Sequence, residues 1–197
     1  MSRRAALVQP NDTLQRTRRP ALLLDFSPAL AASPLRFGVS QTANPLIRDD
    51  RRIALQLEHS IEVEVSLEFA WRYRTDIATW NDPPATFVLE GPFIAGSRGT
   101  TLLPEQQPLH WNIREVQPLN AFILEMQLDR ALLTFEWRFD SWSKQRTRMT
   151  QRIELSGDNE AAYAQQVEAG FRPGLADGMR RIATEMAAAE TRSMKAG

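Results

Sequence analysis

The chain has 197 residues, 43% hydrophobic and 24% charged, a balance that suits one soluble globular domain able to bury a core. Its formal net charge is zero, so bulk electrostatics give no reason to expect nucleic acid or an anionic membrane as a partner. It holds no cysteine, which excludes disulfides, thiolate nucleophiles and cysteine-ligated metal centres together.

Residues 1–55 differ from the rest. Pro10, Pro20, Pro28, Pro34 and Pro45 punctuate them, no hydrophobic period is sustained, and nine arginines stand against Asp12, Asp25, Asp49 and Asp50. Such a segment buries little, so a disordered, basic Pro/Arg-rich extension is expected. It is read first as a dispensable extension or an early start of translation, with a basic arm that docks a partner as the competing reading. Ser2, Arg3 and Arg4 resemble the opening of a twin-arginine export signal, but Gln9, Pro10, Asn11 and Asp12 follow where an apolar region belongs. No run reaches the roughly 18 apolar residues of a membrane span. Cytoplasmic localisation is therefore expected.

A folded domain over residues 56–190 opens on a strand. Leu57, His59, Ile61, Val63, Val65 and Leu67 alternate with polar residues at period two, which is a half-buried strand. Ser66 is placed to cap a short helix carrying Phe69, Ala70, Trp71 and Tyr73. A second helical turn follows over Asp76 to Trp80, and Asn81, Asp82, Pro83 and Pro84 end it. An antiparallel meander comes next: Thr86 to Glu90, Thr100 to Leu103, His110 to Val116, Ala121 to Leu128, Leu132 to Trp142 and Arg146 to Leu155. From Glu160 a helical segment carries Tyr163, Val167 and Phe171, and Pro173 forces a break. The last helix carries Leu175, Met179, Ile182 and Met186 on one face, with Gly170, Gly174 and Gly178 beside it, and residues 191–197 read as a tail.

This order resembles the helix-grip fold of the START/Bet v1-like superfamily, and its bacterial polyketide cyclase/dehydrase-type members in particular. His59-Ser60-Ile61-Glu62-Val63 in the first strand, Trp71 in the first helix, Asp76 before the second, Gly91-Pro92-Phe93 with Gly96, and the turn Glu115-Val116-Gln117-Pro118 carry the likeness. The resemblance implies an α+β fold in which a seven-stranded curved antiparallel sheet wraps a long C-terminal helix, with two short helices after the first strand. It implies a cavity between sheet and helix that binds a small hydrophobic ligand of aromatic or polyketide-like kind. The alternatives are an enzyme of the cyclase/dehydrase type and an interaction module using the basic arm. The resemblance also sets the first and last strands side by side, so that Glu58, Glu62 and Glu64 would face Arg146, Arg148 and Arg152. That ladder accounts for the basic run without nucleic acid.

Gly91 and Gly96 have the separation of a phosphate-binding loop, but Ser97 and Arg98 occupy the positions of its Lys and Ser or Thr, and no parallel βα unit surrounds them. The stretch is read as a pocket-edge loop. With only His59 and His110 for imidazole chemistry and no ligand cluster in the sequence, no metal and no cofactor are expected. His59 shares the inward period of its strand, and Gln151 lies between Met149 and Ile153. Glu115 points inward if Trp111 does, and a carboxylate among apolar walls would have a raised pKa. These three are the candidate acid, base or orienting groups. Trp71, Trp80, Trp111, Ile113, Phe135, Trp137, Phe139, Met149, Phe171, Leu175 and Met179 are the candidate ligand contacts. On the last helix, Ile182 and Met186 are expected to pack on the sheet while Phe171, Leu175 and Met179 face the cavity. Ligand identity, catalysis versus carriage and oligomeric state are left open.

Overall fold

The computed structural model describes residues 53–196; the expectations for the N-terminal extension, its disorder and its docking role included, lie outside them. Seven strands form one antiparallel sheet in the order β1-β7-β6-β5-β4-β3-β2. They are β1 (Ile53–Val63), β2 (Thr86–Glu90), β3 (Arg98–Leu102), β4 (Leu109–Gln117), β5 (Ala121–Leu128), β6 (Ala131–Ser143) and β7 (Arg146–Ser156). Helix α1 (Leu67–Thr75) and a single 3-10 turn (Ile77–Thr79) connect β1 to β2, and α2 (Ala161–Phe171) and α3 (Leu175–Ala196) follow the sheet. The sheet is curved and open, α3 packs on it, and the architecture is the helix-grip fold.

Local chemistry sets the boundaries. The alternation of β1 continues back through Leu55, which pairs with Leu155, so the strand begins ahead of residue 56. Ser66 opens α1 by accepting a hydrogen bond from the Phe69 amide at 3.2 Å, the expected N-cap. Pro173 lies in the break between α2 and α3, as the missing amide hydrogen of proline requires. Helix α3 runs on to Ala196, past the boundary expected at residue 190.

Residues directly opposite on neighbouring strands share a face, and the register collects the apolar ones on the inner side. Leu57, Ile153 and Phe135 form one cross-strand row, and Ile61, Met149 and Phe139 another. Onto this face α3 lays Leu175, Met179, Ala183 and Met186, all buried. On the outer face the expected ladder is present: Arg152 Nε meets Glu58 at 2.6 Å, Arg148 meets Glu62 at 3.0 Å, and Arg146 pairs with Glu64. Glu136 and Arg138 of β6 extend it across a third strand. These groups are part-exposed, so each pair contributes only roughly 0.2–1 kcal/mol. Among the described residues no helix is long and apolar enough to cross a membrane.

The two faces predict different sensitivities. Met186→Ala, which empties a fully buried site under α3, should lower the free energy of unfolding in urea by roughly 2–5 kcal/mol. Glu62→Gln should lower it by less than about 1 kcal/mol, and that loss should shrink in high salt.

Candidate functional site

The corner between α1 and the 3-10 turn is tied to itself. The Thr79 hydroxyl donates to the Tyr73 carbonyl, and the Trp80 indole donates to the Arg74 carbonyl at 3.0 Å. Two carbonyls that the end of α1 would leave without partners are thereby satisfied. Asp76 caps the 3-10 turn by accepting from the Ala78 amide at 3.0 Å. The corner consequently holds Tyr73, Arg74 and Trp80 in fixed positions over the inner face of the sheet.

Between this corner, the sheet and α3 lies a cleft, part-open to solvent, with a cavity volume of about 80 Å³. On that measure a single water needs roughly 10–15 Å³, so the space exceeds what a few ordered waters fill. Tyr73, Arg74, Thr79, Trp80, Asn81 and Asp82 form one wall, and Arg181, Ile182 and Glu185 of α3 form another. The floor is Phe87, Thr101, Trp111, Leu124, Met126, Phe135, Trp137 and Gln151, drawn from six strands.

Trp111 owes its place to a glycine. Gly99 is its direct cross-strand partner, and a Cβ on Gly99 would lie 2.2 Å from the indole ring. With no side chain there, the ring lies against the β3 backbone, and its Nε1 donates to the buried Thr101 hydroxyl at 3.1 Å. Trp80 stacks above it, ring centroids 5.8 Å apart and planes 22° apart. The result is a flat aromatic wall.

Against that apolar surface stand unsatisfied polar groups. Among the described residues the buried side-chain atoms without a hydrogen-bond partner are Arg74 Nε, Asp82 Oδ2, Gln151 Oε1 and Arg181 Nε, and all four residues line the cleft. Asp82 does pair with Arg181 through its other oxygen. Arg74, 7% exposed, lies between Trp80 and Trp137, its guanidinium carbon 5.0 and 4.3 Å from the ring centroids. Each such contact is worth roughly 0.5–2 kcal/mol, which offsets only part of the several kcal/mol that burying an ion costs. Burial accordingly pushes the Arg74 guanidinium down to about 10, still cationic at neutral pH. Burial and the Glu185 charge hold the Tyr73 phenol above its usual range, so it too keeps its proton there.

The expected contacts divide. Trp80, Trp111, Phe135 and Trp137 line the cleft. Trp71 instead packs edge-on against Phe139 at 5.5 Å, and Ile113, Met149, Phe171, Leu175 and Met179 are buried in the core cluster away from the opening. On α3, Met186 is buried and Ile182 packs against the core cluster as expected, but Ile182 also lines the cleft, whereas Leu175 and Met179 pack in the core. Gly170 makes no room for anything, since nothing lies within 4 Å of where its Cβ would be. Of the polar candidates, Gln151 lines the cleft and His59 sits beside it as its cross-strand partner, half-buried and off the cleft wall. Glu115 is displaced by a β-bulge between Ile113 and Glu115: it pairs with Ile123 while Val116 pairs with the buried Phe122, so the carboxylate turns to the outer face and meets Gln117. The loop after β2 does not line the cleft either; its Phe93 packs behind Trp80 and against Phe122 at 5.0 Å.

The sequence reading passed over Arg74, Tyr73, Phe87, Thr101 and Arg181. A signal for Arg74 was available, because it lies four residues after Ala70 and shares that residue's buried face of α1.

No protein-family model and no curated protein sequence matches the chain. Solved structures do match in fold. A norcoclaurine synthase point mutant from Thalictrum flavum, in complex with a transition-state analogue, aligns at TM-score 0.57 and 12% identity, over 72% of this chain and 98% of that one. The same plant's enzyme in complex with dopamine and hydroxybenzaldehyde aligns at 0.54 and 12%, over 76% and 97%. An aromatase/cyclase from Streptomyces sp. R1128 aligns at 0.53 and 14%, over 67% and 93%. At such identities the likeness is one of fold alone: the chain shares the helix-grip architecture of these structures.

The Gly99 contact yields a direct check. Gly99→Val should push the Trp111 ring off the β3 backbone, destabilise the domain by roughly 1–3 kcal/mol, and shift the tryptophan emission to the red. Urea unfolding followed by fluorescence reads both.

Proposed function

We propose that the chain binds a small hydrophobic ligand of aromatic or polyketide-like kind in the cleft between the sheet and α3. The observation that carries this reading is the pairing of a flat aromatic wall, Trp80 on Trp111, with the unsatisfied polar atoms of Arg74, Asp82, Gln151 and Arg181 in one cleft. Ligand pockets are mostly apolar with a few convergent polar anchors, and a buried polar atom lacking a protein partner is where a ligand atom fits. The aromatase/cyclase and the synthase complexed with dopamine and hydroxybenzaldehyde lend support at the level of the fold.

An enzyme of the cyclase/dehydrase type is the second reading. Tyr73 favours it, because its phenol, protonated at neutral pH, stands on the cleft wall, where it serves as a hydrogen-bond donor to a developing oxyanion. Among the three polar residues expected from sequence, Gln151 is the one on that wall, in an orienting role.

Binding is tested with the neutral fluorophore N-phenyl-1-naphthylamine. The wild-type chain should enhance its emission at one site per chain, and Ile182→Trp, which fills the cleft from α3, should abolish the enhancement while leaving the circular dichroism spectrum unchanged. No enhancement by the wild type, together with no small molecule recovered by native mass spectrometry, would refute the proposal.

A further inference from the structure

Arg74 poses a problem that a purely apolar ligand leaves unsolved. It is a cation at 7% exposure, its Nε has no hydrogen-bond partner, and no ion pair reaches it among the described residues. Of the two carboxylates on the cleft wall, Asp82 pairs with Arg181 through one oxygen, and neither Asp82 nor Glu185 forms an ion pair with Arg74 among the described residues. Buried guanidinium groups are ordinarily paired with an anion, and their planar fork matches a carboxylate bidentately. Here the guanidinium carbon lies over the Trp137 and Trp80 rings at 4.3 and 5.0 Å, contacts that hold the cation in place without supplying a hydrogen-bond acceptor. Trp80 in turn stacks on Trp111, which continues the aromatic surface away from the cation.

On the premise that the cleft binds a small aromatic molecule, we infer that its ligand is an aromatic acid, with the ring against Trp80 and Trp111 and the carboxylate on the Arg74 guanidinium. The ligand then supplies the counter-charge the fold withholds. An anion lacking a ring would forgo the stacking surface, and a neutral ring would leave the cation unpaired.

The test compares 2-naphthoate with the neutral 2-naphthylmethanol on the full chain, by calorimetry and tryptophan quenching. The acid should bind roughly ten- to a hundredfold more tightly, the range expected for a charge-assisted hydrogen-bonded pair. In Arg74→Met the ratio of the acid's affinity to the alcohol's should fall to about one, and Arg74→Lys should restore part of the preference. If Arg74→Met fails to fold by circular dichroism, the wild-type comparison decides alone. Equal affinity for the two probes, or a tighter alcohol, overturns the inference and leaves the hydrophobic pocket standing. Binding of N-phenyl-1-naphthylamine but of neither probe overturns it as well. Loss of all three sinks the pocket and the inference together.

Discussion

Met179, Ala183 and Met186 seal α3 against the inner face of the sheet, and what is open in the molecule depends on where that seal stops. The buried stripe occupies one face of the helix. Arg181, Ile182 and Glu185 lie on its flank, toward the corner formed by α1 and the 3-10 turn, and there the helix becomes a wall of the cleft. The core and the site are therefore two sides of one helix. The core side is apolar and fully packed, whereas the flank mixes one aliphatic side chain with two charged ones.

Charge is treated in opposite ways on the two faces of the sheet. Outside, Glu58, Glu62 and Glu136 pair with Arg138, Arg148 and Arg152 across β1, β7 and β6, and water screens what remains. Inside, Arg74 is held by tryptophan faces alone and Gln151 leaves its carbonyl oxygen unmet. The first arrangement is self-sufficient. The second leaves polar atoms unmet, and this contrast is what sets the cleft apart from the rest of the surface.

Most of the fold was legible in the sequence because its signals are local. The alternation in β1 and β7, the Ser66 cap, the prolines after the 3-10 turn and Pro173 between the last helices each act within a few residues, and the strands lie where those signals put them. The site was legible only in part. Trp80, Trp111 and Trp137 stood out as aromatic residues, but whether a large apolar side chain fills the core or borders a space depends on the distance to the opposite layer. No period encodes that distance, so Met149, Phe171 and Met179 could not be told from Phe135. Glu115 failed for a different reason: one extra residue in β4 inverts the alternation beyond it, and a strand's parity read from Trp111 cannot survive a bulge.

The position of β1 has a consequence for how the domain comes together in time. Strands β2 to β7 each pair with their neighbour in sequence, whereas β1 sits at the edge of the described sheet and pairs with β7, with Ser60 and Thr150, 90 residues apart, joined by their hydroxyls. On the logarithmic scaling of loop entropy, closing so long a loop costs roughly 3 kcal/mol more than closing a tight hairpin. Hairpins therefore assemble ahead of it, and the closure of β1 onto β7 is the slow, topologically demanding event. Because α1 and the 3-10 turn hang from the end of β1, the corner that bears Arg74 and Trp80 docks with that closure. The shape of the cleft is thus coupled to the docking of the edge strand, although β1 itself contributes no residue to its wall.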